Sequence, residues 1–322
     1  MRSAYMLLFL LLASALSGCA SVNLFRDYSE PLREFTLEGT AEPKVVLITV
    51  RGTLETGPDE ETFREAPGIV QETVSQLDKA AADPSVKALV LAVDSPGGTA
   101  TASDILYGEL LAWKEKTKAK LVVCMLEVAA SGGYYISLPA DVIVAHPTTI
   151  TGSVGTIFIR PKVVGLMDKI GVDVDVTKSG VNKDMGSPFR QPSREEVEMF
   201  DGIVGDMNSR FLSLVAKHRN LSDENMRQVS TARVFTANQA RKVGLVDEIG
   251  NIDFAVATAR KQAGLPENAR LVVYRRTEYA DDNPYNSLLT RMASQPTLVD
   301  LGAAGDLLRR RTGFYYLWEP GY

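Results

Sequence analysis

Four short segments carry residue types suited to nucleophilic chemistry. Glu127–Tyr135 reads EVAASGGYY and sets Ser131 directly before a glycine pair. Asp94–Thr99 (DSPGGT) holds Gly97 and Gly98, Thr151–Thr156 (TGSVGT) holds Ser153, and Thr177–Asp184 (TKSGVNKD) holds Lys178 and Lys183. A serine between an apolar run and a helix start is most often an N-cap. It can also be a nucleophile held over the helix N-terminus. Glycines at such a turn allow a sharp reversal and close backbone approach, and their N–H groups can stabilise an oxyanion. The Ser131 segment is not the G-x-S-x-G elbow, because Ala129 stands where the first glycine belongs. A base must also be found. His218 sits in the charged stretch KHRN, and His146 ends an apolar run before Pro147, which makes it the better of the two histidines. A lysine is the simpler base in so histidine-poor a chain, provided burial disfavours its charged form.

The elements that position these segments read as α/β. KVVLITV (Lys44–Val50), VKALVLAV (Val86–Val93), KLVVCML (Lys120–Leu126) and DVIVAH (Asp141–His146) are apolar, β-branched runs, as expected of buried parallel strands. Gly68–Ala82 and Ala102–Lys118 between them have helical spacing. The alternation implies βαβ units with flanking helices. Helical runs follow at Arg194–His218, Phe235–Val243 and Phe254–Ala263, and LVVYR (Leu271–Arg275) is a candidate late strand. Cys124 lies within the third apolar run and reads as a plain buried thiol.

Composition narrows the function. The 322 residues are 45% hydrophobic and 23% charged, an ordinary globular mix, with a net charge of −5. That sign argues against nucleic acid as a partner. Two cysteines and two histidines exclude a disulfide scaffold, a four-cysteine zinc site and a His-rich metal centre. At the N-terminus, Arg2 precedes the apolar run Tyr5–Leu16, which is too short to span a bilayer and fits a secretory signal. Leu16-Ser17-Gly18-Cys19 resembles the bacterial lipobox, which implies cleavage before Cys19 and acylation of its thiol. Residues 1–18 are then a lipoprotein signal peptide, and 19–43 a lipidated tether reaching about 80 Å when extended. Localisation follows as the bacterial cell envelope, facing the periplasm or exterior. Ala20 is not the aspartate that retains lipoproteins in the inner membrane, which points to the outer membrane in a cell that has one.

Taken together and in order, DSPGGT, AASGGYYIS, ITGSVGTI and KSGVNKD resemble the signal peptide peptidase (protease IV, SppA) family of serine proteases, in its short form. RGTLE, SPFR at Ser187–Arg190 and RVFTANQARKVGLVDEIG at Arg233–Gly250 extend the likeness over residues 44–266, the expected catalytic domain. The resemblance implies a ClpP/crotonase-like α/β fold, a homo-oligomer and a Ser/Lys dyad shared across it. It implies Ser131 as nucleophile, Lys183 as general base with Lys178 its rival, Ser153 as the hydroxyl orienting that lysine, and the N–H groups of Gly98 and Gly132 as the oxyanion hole. No cofactor or metal is implied. The expected substrates are remnant signal peptides or other small or unfolded envelope peptides.

Residues 267–322 read as a C-terminal extension, not core. Its Arg309–Arg311 and the Phe314–Trp318 aromatics are candidates for lining the catalytic bowl or docking on the membrane. Two other readings stand beside the protease. A crotonase-like acyl-CoA enzyme has a similar glycine-pair loop, but secretion removes it from cytosolic acyl-CoA. A catalytically idle lipoprotein scaffold would have no need of an intact Ser131 and Lys183.

Overall fold

The apolar runs become strands because alternate side chains along them face two different cores. In the computed structural model, which describes residues 30–61, 64–279, 281–286 and 312–318, the chain opens with strands β1 (Arg33–Glu38) and β2 (Ala41–Arg51). The short hairpin β3 (Asp59–Glu61) and β4 (Arg64–Ala66) follows. Next come α1 (Ile69–Ala82), β5 (Val86–Ser95), β6 (Gly97–Thr99), α2 (Ala100–Thr117), β7 (Lys120–Ala130) and the single turn α3 (Gly132–Tyr135). The middle of the chain forms β8 (Val142–Ala145), β9 (Ile150–Gly152), β10 (Ile157–Ile159), α4 (Val164–Ile170) and α5 (Arg194–His218). Then follow α6 (Asp223–Val229), β11 (Val234–Thr236), α7 (Ala237–Val243), β12 (Glu248–Ile249), α8 (Ile252–Gln262), β13 (Ala269–Arg275) and β14 (Gly313–Leu317).

The main sheet runs β1-β13-β2-β5-β7-β8-β12, with β9 also on β7 and β11 on β9. Its pairings are parallel except for β1 on β13 and β11 on β9. This is the expected α/β fold, a mostly parallel sheet with flanking helices. Val46, Ile48, Leu89, Leu91, Leu121 and Val123 face one core, beneath α1 and α2. Val45, Leu47, Val90, Val122 and Cys124 face the other, covered by α8 through Ile252, Ala255, Val256 and Ala259. Cys124 is free and buried, and burial pushes its thiol up to about 12.

The sheet reaches past the expected catalytic bounds at both ends. β1 lies in the segment expected to be tether. Its Phe35 and Leu37 alternate with Glu34, Thr36 and Glu38 and pack on the α8-side core. Lys44 ties β2 to its neighbours, its Nζ donating to Glu34 at 2.9 Å and Asp83 at 2.6 Å. β13, the expected late strand, is an interior strand of the main sheet, paired with both β1 and β2. Beyond it, β14 is not appendage either. Tyr315, Tyr316 and Leu317 are buried, and β14 forms the middle of a second, antiparallel sheet ordered β10-β14-β6. Signal residues 1–18, Cys19 and Arg309–Arg311 lie outside the described residues.

Candidate active site

Ser131 stands where β7 gives way to α3. Its φ of 51° and ψ of −113° are an unusual backbone conformation for a residue with a Cβ. The neighbours hold it there: its N–H donates to the Gly152 carbonyl at 2.8 Å and its own carbonyl accepts from the Tyr135 N–H at 2.8 Å. The side chain makes no capping bond to α3. Its hydroxyl lies 3.5 Å from the Gly155 carbonyl, the outer limit of a hydrogen bond. A serine 1% exposed with a hydroxyl so weakly held is poorly explained as a helix cap.

Two glycine turns converge beside it. The DSPGGT segment is not a loop throughout, because Gly97–Thr99 form β6. A Cβ on Gly97, at φ +100°, would lie 2.6 Å from the Gly132 nitrogen. One on Gly98 would lie 2.0 Å from the Leu54 carbonyl oxygen, and one on Gly133 would lie 2.4 Å from the Ser95 carbonyl oxygen. Glycine is therefore needed here for close backbone packing, which brings Gly97 against the start of α3. Thr99 then caps α2 through its side chain, accepting from Ala102 N–H at 3.2 Å.

Ser153 arrives by register. β9 pairs with β7 so that Gly152 lies opposite Ala130, and Ser153 and Ser131 are the next residue along each strand. Ser153 also has positive φ, 49°, and its N–H donates to the Arg233 carbonyl at 2.9 Å. It lines a cavity of about 190 Å³ with Gly155, Thr156, Ile157, Ala232, Leu317 and Trp318. The last two of these belong to the C-terminal extension, for which the sequence offered lining of the catalytic bowl as one of two roles. Its Phe-Tyr-Tyr-Leu-Trp run was the available signal.

The lysine segment lies apart. Lys183 is exposed, and among the described residues its side chain has no hydrogen-bond or ion-pair partner; nothing joins it to Ser131 or Ser153 within one chain. Lys178 is tied down, its Nζ donating to Asp184 Oδ1 at 2.6 Å and the Val181 carbonyl at 3.0 Å. Arg190 grips Asp184 from the other side and reaches Glu196 at 2.6 Å. Hydrogen bonds from Arg190, then Lys178, hold the Asp184 carboxyl well below the usual carboxylate range. Arg190 likewise lowers Glu196 to about 2, against the opposing effect of burial. The histidines are occupied elsewhere: His146 Nδ1 lies 2.8 Å from Thr148 Oγ1, and His218 Nε2 lies 2.8 Å from the Tyr107 hydroxyl.

Comparison with known proteins bears on what this arrangement does. The model of "Peptidase family S49" matches residues 114–266. A protein of Enterococcus faecium named "Putative signal peptide peptidase SppA" is 34% identical over 252 residues, covering 78% of this chain and 73% of the relative. "Protease 4" of Salmonella typhi is 39% identical over 205 residues, covering 63% of this chain, but the match spans only 33% of that longer protein. Among solved structures, a mutant of ClpP1 from Listeria monocytogenes overlays with a TM-score of 0.40 at 17% identity, covering 64% of this chain and 91% of its own. A likeness that slight carries no argument.

Proposed function

The chain belongs to peptidase family S49, among the SppA-type serine proteases, and from that premise we propose that it is a membrane-tethered endopeptidase working through a Ser131/Lys183 dyad. The observation that carries the reading is Ser131 itself: buried, held in an unfavourable backbone conformation, uncapped, and flanked by two glycine turns. In the proposed cycle Lys183 takes the hydroxyl proton as Ser131 Oγ attacks the substrate carbonyl carbon. The N–H groups of Gly98 and Gly132 receive the resulting oxyanion. Lys183 then passes its proton to the leaving amine, and water hydrolyses the acyl-enzyme. Ser153 orients the lysine.

Lys183 reaches a serine by belonging to a neighbouring subunit. Two observations support this. Lys183 is unpartnered among the described residues, while Lys178 is committed to Asp184. In the stretch of chain that carries it, Leu166, Ile170, Val176, Val181 and Phe189 are exposed, large apolar side chains of the kind that mark an interface. Such an interface would also desolvate the lysine, which favours its neutral form. Lipidated Cys19 would hold the enzyme at the membrane, where remnant signal peptides and other envelope peptides are the substrates.

Peptidase assays on single variants test the dyad. Ser131→Ala and Lys183→Ala each lose essentially all activity, and a fluorophosphonate probe labels Ser131 in the unmodified chain. Co-refolding the two inactive variants restores activity to roughly a quarter, because a random closed oligomer pairs an intact serine with an intact neighbouring lysine at that frequency. Full activity in Lys183→Ala would remove the lysine from the mechanism.

A further inference from the structure

The two proposed oxyanion donors belong to different elements, so something must fix one against the other. Gly98 lies in β6, which runs straight into α2 through the Thr99 cap. Gly132 opens α3, a single turn too short to hold together unaided. Side chains therefore tie α3 to its surroundings. The Tyr134 hydroxyl donates to the Leu245 carbonyl at 2.8 Å, and the Ser137 hydroxyl donates to the Gly133 carbonyl at 2.8 Å. Neither bond reaches the helix that follows Gly98. The Tyr135 hydroxyl does reach it, donating to Asp104 Oδ1 on α2 at 2.6 Å.

The start of α2 lies directly against the donor. A Cβ on Gly132 would be 2.4 Å from Ser103 Oγ, and Ser103 Oγ donates back to the Thr99 carbonyl at 3.0 Å. Asp104, the next residue, makes the bond across to α3. Its Oδ1 also accepts from Arg210 of α5, at 2.6 Å from Nη2 and 3.1 Å from Nε, so the carboxylate is held from a second side. Tyr135 is fully buried, its ring edge-on to Tyr107 at 5.4 Å and to Phe211 at 4.8 Å. Burial, then the Asp104 carboxylate, push its hydroxyl well above the usual tyrosine range, so it stays a donor. The hold passes back to the nucleophile through the backbone. Tyr135 N–H donates to the Ser131 carbonyl at 2.8 Å. That carbonyl and the Gly132 N–H share one planar peptide group and point opposite ways, so fixing the first aims the second.

We propose that Asp104 is a positioning residue of the oxyanion hole: through Tyr135 it sets where the Gly132 N–H points relative to Gly98. It acts on the donor and not on the reacting atoms. A displacement of a fraction of an ångström is enough to matter, because a donor must lie about 2.7–3.1 Å from the oxyanion. The effect falls on the transition state, where the negative charge develops, and not on the bound peptide. This rests on Ser131 being the nucleophile, with Gly98 and Gly132 as the donors.

The test compares Tyr135→Phe, Asp104→Ala and the double variant on the fluorogenic probe acetyl-Leu-Ala-Leu-aminocoumarin. Tyr135→Phe keeps the ring and the Asp104–Arg210 pair and removes only the tie. Each single variant lowers kcat about tenfold with KM unchanged, less than the loss of a whole donor. The double variant falls no further, because both changes cut one link. Fluorophosphonate labelling of Ser131, which needs no particular peptide sequence, slows by the same factor. The aldehyde acetyl-Leu-Ala-leucinal, whose hemiacetal oxygen enters the hole, binds about tenfold more weakly, while the corresponding alcohol binds as before. Unchanged kcat and labelling in variants that still melt cooperatively overturn the proposal. So do equal losses for aldehyde and alcohol, the mark of general loosening, or losses that multiply in the double variant. If Asp104→Ala does not fold, Tyr135→Phe decides alone by the same kcat, labelling and inhibitor readouts. Failure of the nucleophile reading shows separately, as activity retained in Ser131→Ala with no fluorophosphonate adduct on Ser131.

Discussion

Four non-glycine residues have positive φ among those described, and three of them, Ser131, Ser153 and Ala232, lie at the site. Ser153 and Ala232 line the cavity directly. Such conformations cost about 1–3 kcal/mol each and persist where the surroundings over-determine them. At Ser131 the determinants are the Gly152 carbonyl and the Tyr135 N–H. The strain aims the hydroxyl away from the cap position, so it should be separable from the chemistry. Ser131→Gly is expected to melt above Ser131→Ala, by the equivalent of about 1 kcal/mol, because glycine adopts this conformation without the penalty. Both variants are inactive. Equal melting temperatures in a calorimeter would mean that the backbone is relaxed.

At the scale of elements, the lysine segment hangs on the start of α5. Ser193 and Glu196 form a capping box there: Glu196 N–H donates to the Ser193 hydroxyl and Ser193 N–H to Glu196 Oε2 at 2.8 Å. Glu196 also accepts from Gly186 N–H at 3.2 Å. Arg190 bridges this carboxylate to Asp184 and so to Lys178. Both carboxyls are depressed in the folded chain, so their contribution is complete above the ordinary carboxylate pKa of about 4.3. It is lost as pH falls through the folded values, about 2 for Glu196 and lower for Asp184. Acidification from pH ~5 toward ~2 should loosen residues 177–190. In Arg190→Ala the segment should already be looser at neutral pH and should change less on acidification, read as hydrogen exchange across the segment. An identical acid profile in the variant would show that Arg190 does not hold it.

Elements of this kind differ in how far they can be read in advance. The four buried parallel strands and α5 are plain in the sequence because their period is local. Ser131 and the glycine pairs are equally plain, since backbone crowding there permits little else. β6 and β14 are not. Each is too short to show a period, and their pairing joins residues more than two hundred positions apart. β1 does alternate, at Phe35 and Leu37, but charged neighbours mask so short a pattern. Spacing alone left Lys178 and Lys183 as rivals; the family resemblance favours Lys183, and the ion pair that holds Lys178 to Asp184 is a structural difference in keeping with that order.

For the whole molecule, the proposed anchor predicts location. Cys19→Ser should leave the membrane fraction for the soluble envelope fraction while keeping its activity on soluble peptides; unchanged membrane retention on fractionation would mean another attachment. With that proposed anchor, the tether would also be shorter than its composition suggested. β1 is hydrogen-bonded into the sheet from Arg33, so a lipid on Cys19 would leave residues 20–32 between it and the sheet, about 45 Å if fully extended. The enzyme would then graze a thin layer along the bilayer surface. Peptide ends still lodged in the lipid would fall within its range, and those drifting free in the space beyond would not.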